Sequence, residues 1–250
     1  MHSFQIIDCH LHSGIQNVNW RWEDIRPLLL AAGISAAGAI PPVEDVYDRY
    51  NPAFTDTPAW QECRRRAHSY LLDLKDPEIQ IFPYFFVWND FAWEDLGPEY
   101  VAIKWHRHPD EPEYDYHSPR CREFLEIVRQ RRLPILLEES LENTLFFLEK
   151  LAPDLPVIIP HLGALSGGYR ALDAAGVWGR DHVWADMAVA GLPEIRDYLH
   201  RYGSERLMFG SDYPFSYPDV ELAKILSLKL PEAQTQAILG GNFRRLCRLG

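Results

Sequence analysis

The chain has 250 residues, a length that one α/β barrel fills as a single domain, and a domain spanning 1–250 is expected. Its formal charge of −11, from 36 acidic and 25 basic residues, argues against partners that reward a basic surface, so neither nucleic acid nor an anionic membrane is expected. No apolar run approaches the roughly 20 residues that span a bilayer.

Four cysteines, Cys9, Cys63, Cys121 and Cys247, form no CxxC pair and suggest neither a disulfide framework nor a zinc knuckle. Scattered thiols of this kind fit a reducing compartment, and the opening residues MHSFQIIDC lack the basic and apolar regions of a signal peptide. A cytoplasmic protein is the expectation. The sequence leaves the oligomeric state open, and a homo-oligomer is compatible with it.

A short apolar, β-rich run that ends in polar residues recurs along the chain. The runs are FQIIDCHLH (4–12), ISAAGAI (34–40), IQIFPYFFV (79–87), YVAIKWHRH (100–108), LPILLEE (133–139), PVIIPHLG (156–163), HVWADMAV (182–189) and RLMFGSDYPF (206–215). Helical patterns alternate with them. WEDIRPLLLAAG (22–33) ends at a glycine suited to a C-cap. Ser118 and Pro119 read as N-cap and first helical residue of SPRCREFLEIVRQRR. SLENTLFFLEKL (140–151) places apolar residues at 141, 145, 148 and 151, a helical period. LPEIRDYLHRYG (192–203) again ends in glycine, and PDVELAKILSLKL and EAQTQAILGGNFRRLCRL read as two closing helices. Eight strand–helix units predict a parallel (β/α)8 TIM barrel in preference to a doubly wound sheet. The longest irregular stretch is 40–60; its Tyr47, Arg49, Tyr50 and Phe54 suit a substrate lid.

A barrel of this kind builds its active site where the strands end. The first run ends in Asp8, His10 and His12, the fourth in Lys104, His106 and His108, the fifth in Glu138 and Glu139, the sixth in His161, the seventh near Asp186 and the eighth in Asp212. Strand alternation puts Asp8, His10 and His12 on one face, and Lys104, His106 and His108 on another, while Glu139 points away from the barrel. Two imidazoles two residues apart can chelate one cation, and imidazole with carboxylate suits zinc and related divalent metals. Trp20, Trp22, Trp88 and Trp105 lie near strand ends and are candidates to line a pocket.

IIDCHLHSG, AIKWHRH, VIIPHLGA, LMFGSDYPF and the terminal GNFRRLCRL resemble, in that order, the amidohydrolase superfamily, and most nearly its amidohydrolase-2 branch of small-molecule hydrolases and non-oxidative decarboxylases. The resemblance spans residues 6 to 246 and implies a metal-binding (β/α)8 barrel. It implies His10, His12 and Asp212 as metal ligands, and His161 as a second-metal ligand or a catalytic group. The branch carries histidine on strand five where this chain has Glu138, which binds metal through oxygen if it binds at all. In some members a lysine at the position of Lys104 is carbamylated and bridges two metals; in others it binds an anionic substrate, and substrate binding is the reading favoured here.

The expectation is a metal-dependent hydrolase of a small, carboxylate-bearing ester, lactone or amide. Asp212 serves as general base, His161 as proton shuttle or oxyanion stabiliser, and Lys104, His106 and Arg49 bind the substrate. The metal is one divalent ion, zinc in preference to manganese. The alternatives are a metal-dependent decarboxylase and a metal-free binding barrel.

Overall fold

A computed structural model describes residues 4–14 and 21–249; Trp20 lies outside the described residues. Eight parallel strands form one sheet in sequential order: β1 (Ile7–His12), β2 (Ala36–Ile40), β3 (Gln80–Phe86), β4 (Ala102–His106), β5 (Ile135–Glu138), β6 (Val157–Ile159), β7 (Val183–Asp186) and β8 (Leu207–Met208). This is the expected (β/α)8 barrel. Nearly every strand residue is buried, because helices cover the outer face while side chains fill the inner one.

The sheet closes through the segment after β8. Cys9 N–H donates to the Phe209 carbonyl at 3.0 Å and His12 N–H to the Tyr213 carbonyl at 3.0 Å, while Asp212 N–H donates to the His10 carbonyl at 2.6 Å. A parallel bridge joins Leu11 to Tyr213. β1 slips register against β2 between Asp8 and Leu11, so the strand bulges where the two histidines leave it.

Outside the sheet, α1 (Trp22–Ala31) carries Pro27 within it and is followed by Gly33 at φ +74°, a conformation that favours glycine. The structure adds α2 (Pro58–Asp73), a helix to which the sequence pattern assigned nothing, capped by the Thr57 hydroxyl on Trp60 N–H. α3 (Pro119–Arg131) and α4 (Leu141–Phe146) are capped by Ser118 and Ser140 as their sequences predict, and α4 runs on into a wider turn at Phe147–Leu151. α5 (Tyr169–Ala174) and α6 (Leu192–Tyr202) follow β6 and β7.

The two predicted closing helices are three: α7 (Pro218–Ser227), α8 (Glu232–Gln236) and α9 (Asn242–Cys247). The break falls at Gly240, where a Cβ would lie 2.7 Å from the Gln5 carbonyl oxygen. Close approach there lets the terminal motif plug the base of the barrel. Asn242 donates to the carbonyls of Ser204 and Leu207 at 2.6 and 2.7 Å, and Phe243 packs against Phe82 and Tyr84.

The stretch at 40–60 is not a simple lid. Tyr47 is fully buried and stacks on Trp88 with ring centroids 4.0 Å apart, so that part of the stretch belongs to the core. Phe54 packs against Trp60 and Trp88, and Tyr50 stands in solvent. The tryptophans also differ from expectation. Trp88 and Trp105 are buried among aromatic side chains, and the Trp22 indole donates to Asp76, so none of the three lines the cavity at the strand ends.

Candidate metal centre

The C-terminal ends of the strands enclose a cavity of about 170 Å³ lined by His12, Val43, Arg49, His106, His108, Glu138, Leu165, Val189, Asp212 and Phe215. An engineered cavity of roughly 150 Å³ holds a benzene, so this one has room for a single small ring. A second cavity of about 380 Å³ is lined by His161 and by residues of 162–171 and 189–194, whereas His12, Glu138 and Asp212 line the smaller one.

His10 Nε2 and His12 Nε2 each lie 3.3 Å from the same oxygen, Asp212 Oδ1. Two donors each about 2.0–2.1 Å from a tetrahedral zinc are separated by roughly 3.3 Å, so the three atoms are spaced as ligands of one cation. Their outer edges are tied down. His10 Nδ1 donates to Asp186 Oδ2 at 2.6 Å, while His12 Nδ1 is 3.4 Å from the Pro41 carbonyl. A carboxylate on the far nitrogen fixes the tautomer that leaves Nε2 free to bind metal. Asp8 does not take this role: its Oδ1 accepts the backbone N–H groups of His10 and Ser211, joining the two edges of the barrel seam. Asp186 orients His10 instead.

Asp212 and His161 both have left-handed backbones, at φ +53° and +58°, and Leu162 follows at +47°. Non-glycine residues in this region persist where surrounding contacts over-determine them. The result points Asp212 Oδ2 at His161 Nε2, 3.8 Å away, while His161 Nδ1 donates to the Ala188 carbonyl at 3.0 Å.

Glu138 sits at the centre of a basic ring. Its Oε2 is 2.8 Å from Lys104 Nζ and 3.7 Å from His161 Nε2; its Oε1 is 2.8 Å from His108 Nε2 and 3.5 Å from His106 Nε2. Burial favours the neutral acid, but Lys104 and the imidazoles hold the Glu138 carboxyl well below its usual range. Lys104 is fully buried beneath the cavity and is not in its lining, with Nζ 3.4 Å from His10 Nε2. The cationic group that reaches the wall is Arg49, which donates to Glu111 Oε1 at 2.7 Å and to His108 Nδ1 at 3.1 Å. That donation leaves His108 with its proton on Nε2, aimed at Glu138. Tyr47 completes the network by donating to Glu111 Oε2 at 2.6 Å. The sequence reading missed Glu111, which stands in an acidic stretch with Asp110, Glu113 and Asp115 just after the basic run Lys104–His108.

Arg107 turns away from the cavity, toward Glu113 and Glu139, and Glu139 is buried against Tyr116 and Asn143 outside the ring. The expected alternation therefore holds at both residues.

The charges around these ligand-type atoms suit a cation. Asp8, Glu138, Asp186 and Asp212 are all buried, and the buried ammonium of Lys104 pairs with Glu138 alone among them. Burial pushes Asp8 up to about 7 and Asp186 to about 6. Burial alone would lower His161, yet its hydrogen bond and charge contact with Glu138, helped by Asp212, raise it to about 9. His10 is driven the other way, by burial and then by Lys104, and stays neutral, the form a metal needs. The donor set fits a divalent cation. Two ligand groups share His10: one with His12 and Asp212, the other with Glu138 and His161. Lys104 already stands in the second, so the first is the better single site.

The amidohydrolase family model matches residues 7–249, and the chain belongs to that family. It is an amidohydrolase-family enzyme built on a TIM barrel. No curated protein matches it. Among solved structures it is similar to a protein from Pseudomonas putida provisionally assigned as a 2-pyrone-4,6-dicarboxylic acid hydrolase, at 19% identity, TM-score 0.74, covering 99% of this chain and 98% of that one. It is also similar to 2,6-dihydroxybenzoate decarboxylase from Rhizobium, at 16% identity, TM-score 0.73, covering 98% and 99%. A third, dihydroxybenzoic acid decarboxylase from Polaromonas sp. JS666 with bound manganese, matches at 14% identity, TM-score 0.72, covering 98% and 97%.

Proposed function

We infer that the protein hydrolyses a small, single-ring or shorter substrate that carries a carboxylate beside an ester, lactone or amide bond, using one divalent metal. The observation that carries this reading is the spacing of His10 Nε2, His12 Nε2 and Asp212 Oδ1 at the edge of a small cavity. Zinc suits two imidazoles and a carboxylate, and manganese is the metal named for one fold neighbour.

A bound cation would supply Lewis acidity toward the scissile carbonyl and the attacking water. The protein's own groups do the rest. Asp212 Oδ2, the oxygen turned from His12, takes the proton of the water as general base. His161, 3.8 Å from that oxygen, passes the proton to the leaving group and stabilises the charge that develops on the carbonyl oxygen. Arg49, His106 and His108 form the wall that receives the substrate carboxylate, and Val43, Leu165, Val189 and Phe215 cover its apolar part. Lys104 supports this wall from below through Glu138.

Non-oxidative decarboxylation is the second reading, favoured by the names of the Rhizobium and Polaromonas fold neighbours. The deciding experiment measures metal content by elemental analysis, then turnover on carboxylate-bearing lactones and on hydroxylated aromatic acids. One equivalent of metal, lost in His10→Ala, with lactone hydrolysis is the expected result. Carbon dioxide release without lactone hydrolysis selects decarboxylation. Substrate binding with no metal and no turnover selects a metal-free barrel and overturns both.

A further inference from the structure

The end of β7 and the turn after it touch two imidazoles of the centre, His10 and His161, whose rings stack with centroids 5.2 Å apart. Asp186 Oδ2 accepts from His10 Nδ1 at 2.6 Å, and Asp186 Oδ1 accepts from Ala188 N–H at 2.7 Å. The Ala188 carbonyl in turn accepts from His161 Nδ1 at 3.0 Å. The orientation of that carbonyl depends on the backbone of the next residue, Val189, which holds φ +51°. A β-branched residue in the left-handed region is an outlier that asks for a reason. Asp186 is equally constrained: a Cβ on Gly210 would lie 2.8 Å from Asp186 Oδ1 and 2.9 Å from the His10 Cβ. The carboxylate is wedged in one orientation, with both oxygens committed.

We propose that Asp186 and the turn to Val189 form a single positioning device, which sets the protonated edge of His10 and of His161 together and leaves both Nε2 atoms facing the centre. Asp186 is fully buried and does not line the cavity, so it acts through the two rings. A carboxylate is required. It offers an acceptor to each of its two N–H partners, whereas an amide offers one acceptor and one donor and must lose one of the contacts. An asparagine that kept Ala188 N–H would turn its NH2 toward His10 Nδ1. His10 would then carry its proton on Nε2, the atom meant for the metal. An asparagine that kept His10 would release Ala188, and with it the carbonyl that holds His161. The device thus couples a metal ligand to the proton-transfer group. This inference rests on the metal-centre reading for its consequences, but the geometry it asserts is measurable without metal.

The test is nitrogen-15 spectroscopy of histidine-labelled protein, metal-free and zinc-loaded, for the wild type and Asp186→Asn, alongside zinc affinity by chelator competition. The expected wild-type spectrum shows Nδ1 protonated on both His10 and His161 in both states. In Asp186→Asn, one ring loses that signature, zinc binding weakens roughly ten- to hundredfold, and kcat falls more than KM rises. A bare Nδ1 on either wild-type ring overturns the proposal, and so does an asparagine variant that keeps both signatures and binds zinc within twofold of wild type. If the variant does not fold, the wild-type spectrum decides. If wild type binds no zinc, the functional reading fails, and the metal-free spectra still decide this one.

Discussion

Lys104 and Glu138 form a buried ion pair, Nζ to Oε2 at 2.8 Å, with side-chain exposures of 0% and 4%. Desolvating two charges costs several kcal/mol, so such a pair persists through further hydrogen bonds, here from the imidazoles around Glu138. Removing one partner strands the other. Lys104→Met is therefore expected to destabilise the metal-free protein by about 3–5 kcal/mol, and Lys104→Met with Glu138→Leu by much less. Urea denaturation of the two single variants and the double variant measures the coupling. Additive losses would show that the pair contributes nothing.

Metal should raise stability, because the three ligand atoms come together only in the folded chain. At a free zinc concentration about 100 times Kd, the expected gain is about 2.7 kcal/mol, or roughly 5–10 °C in Tm for a chain of this size. Asp212→Asn should abolish that shift. Thermal scans with zinc and with chelator check it, and an unshifted wild type would remove the metal from the mechanism.

Arg49 faces the cavity yet is committed to Glu111 and His108. Its loss should weaken carboxylate binding and also free the His108 ring. Arg49→Met is expected to raise KM for a carboxylate-bearing substrate about tenfold, with kcat changed far less. A neutral ester of the same shape should not feel the change. Equal effects on the two substrates would place the carboxylate elsewhere. Arg49→Lys should rescue poorly, since a lysine cannot reach Glu111 and His108 with a planar fork.

His68 gives a pH dependence that is independent of the metal centre. It is buried against Phe85, and its Nε2 accepts the Phe86 N–H at 3.1 Å. Burial, then Arg64, lowers its pKa to about 3 from an ordinary 6.5. Between those values the unfolded chain binds the proton and the folded one does not, so stability rises with pH. The contribution is complete above about 6.5 and declines as pH falls toward about 3, by roughly 2 kcal/mol between pH 6.5 and 5. Denaturation midpoints of wild type and His68→Gln across that range should differ in slope. Parallel curves would rule the residue out.

The strand ends were legible because alternation and residue type are local properties. His10, His12, His161 and Asp212 converge once eight strands are counted. Glu138 could be placed as well, but its partners could not, since they depend on how long His108 is and which way its loop turns. Asp186 could be placed near a strand end but given no partner, because nothing in HVWADMAV reveals that its carboxylate will reach His10. The stretch at 40–60 read as a lid because its aromatic residues carry no local sign that Tyr47 will stack on Trp88. Gly240 split the last helix for a tertiary reason, the carbonyl of Gln5 across the barrel base.

The seam of the sheet has a consequence for assembly. β8 itself is two residues long, and the hydrogen bonds that join it to β1 come from Phe209 through Tyr213. Those residues include Asp212, whose Oδ1 lies 3.3 Å from both His10 Nε2 and His12 Nε2. A nascent chain shorter than about 213 residues therefore has neither a closed sheet nor a complete ligand set. On the proposed metal reading, forms truncated before this point would be bare of metal as well as open, and capture of the ion would report that the seam of the sheet has closed.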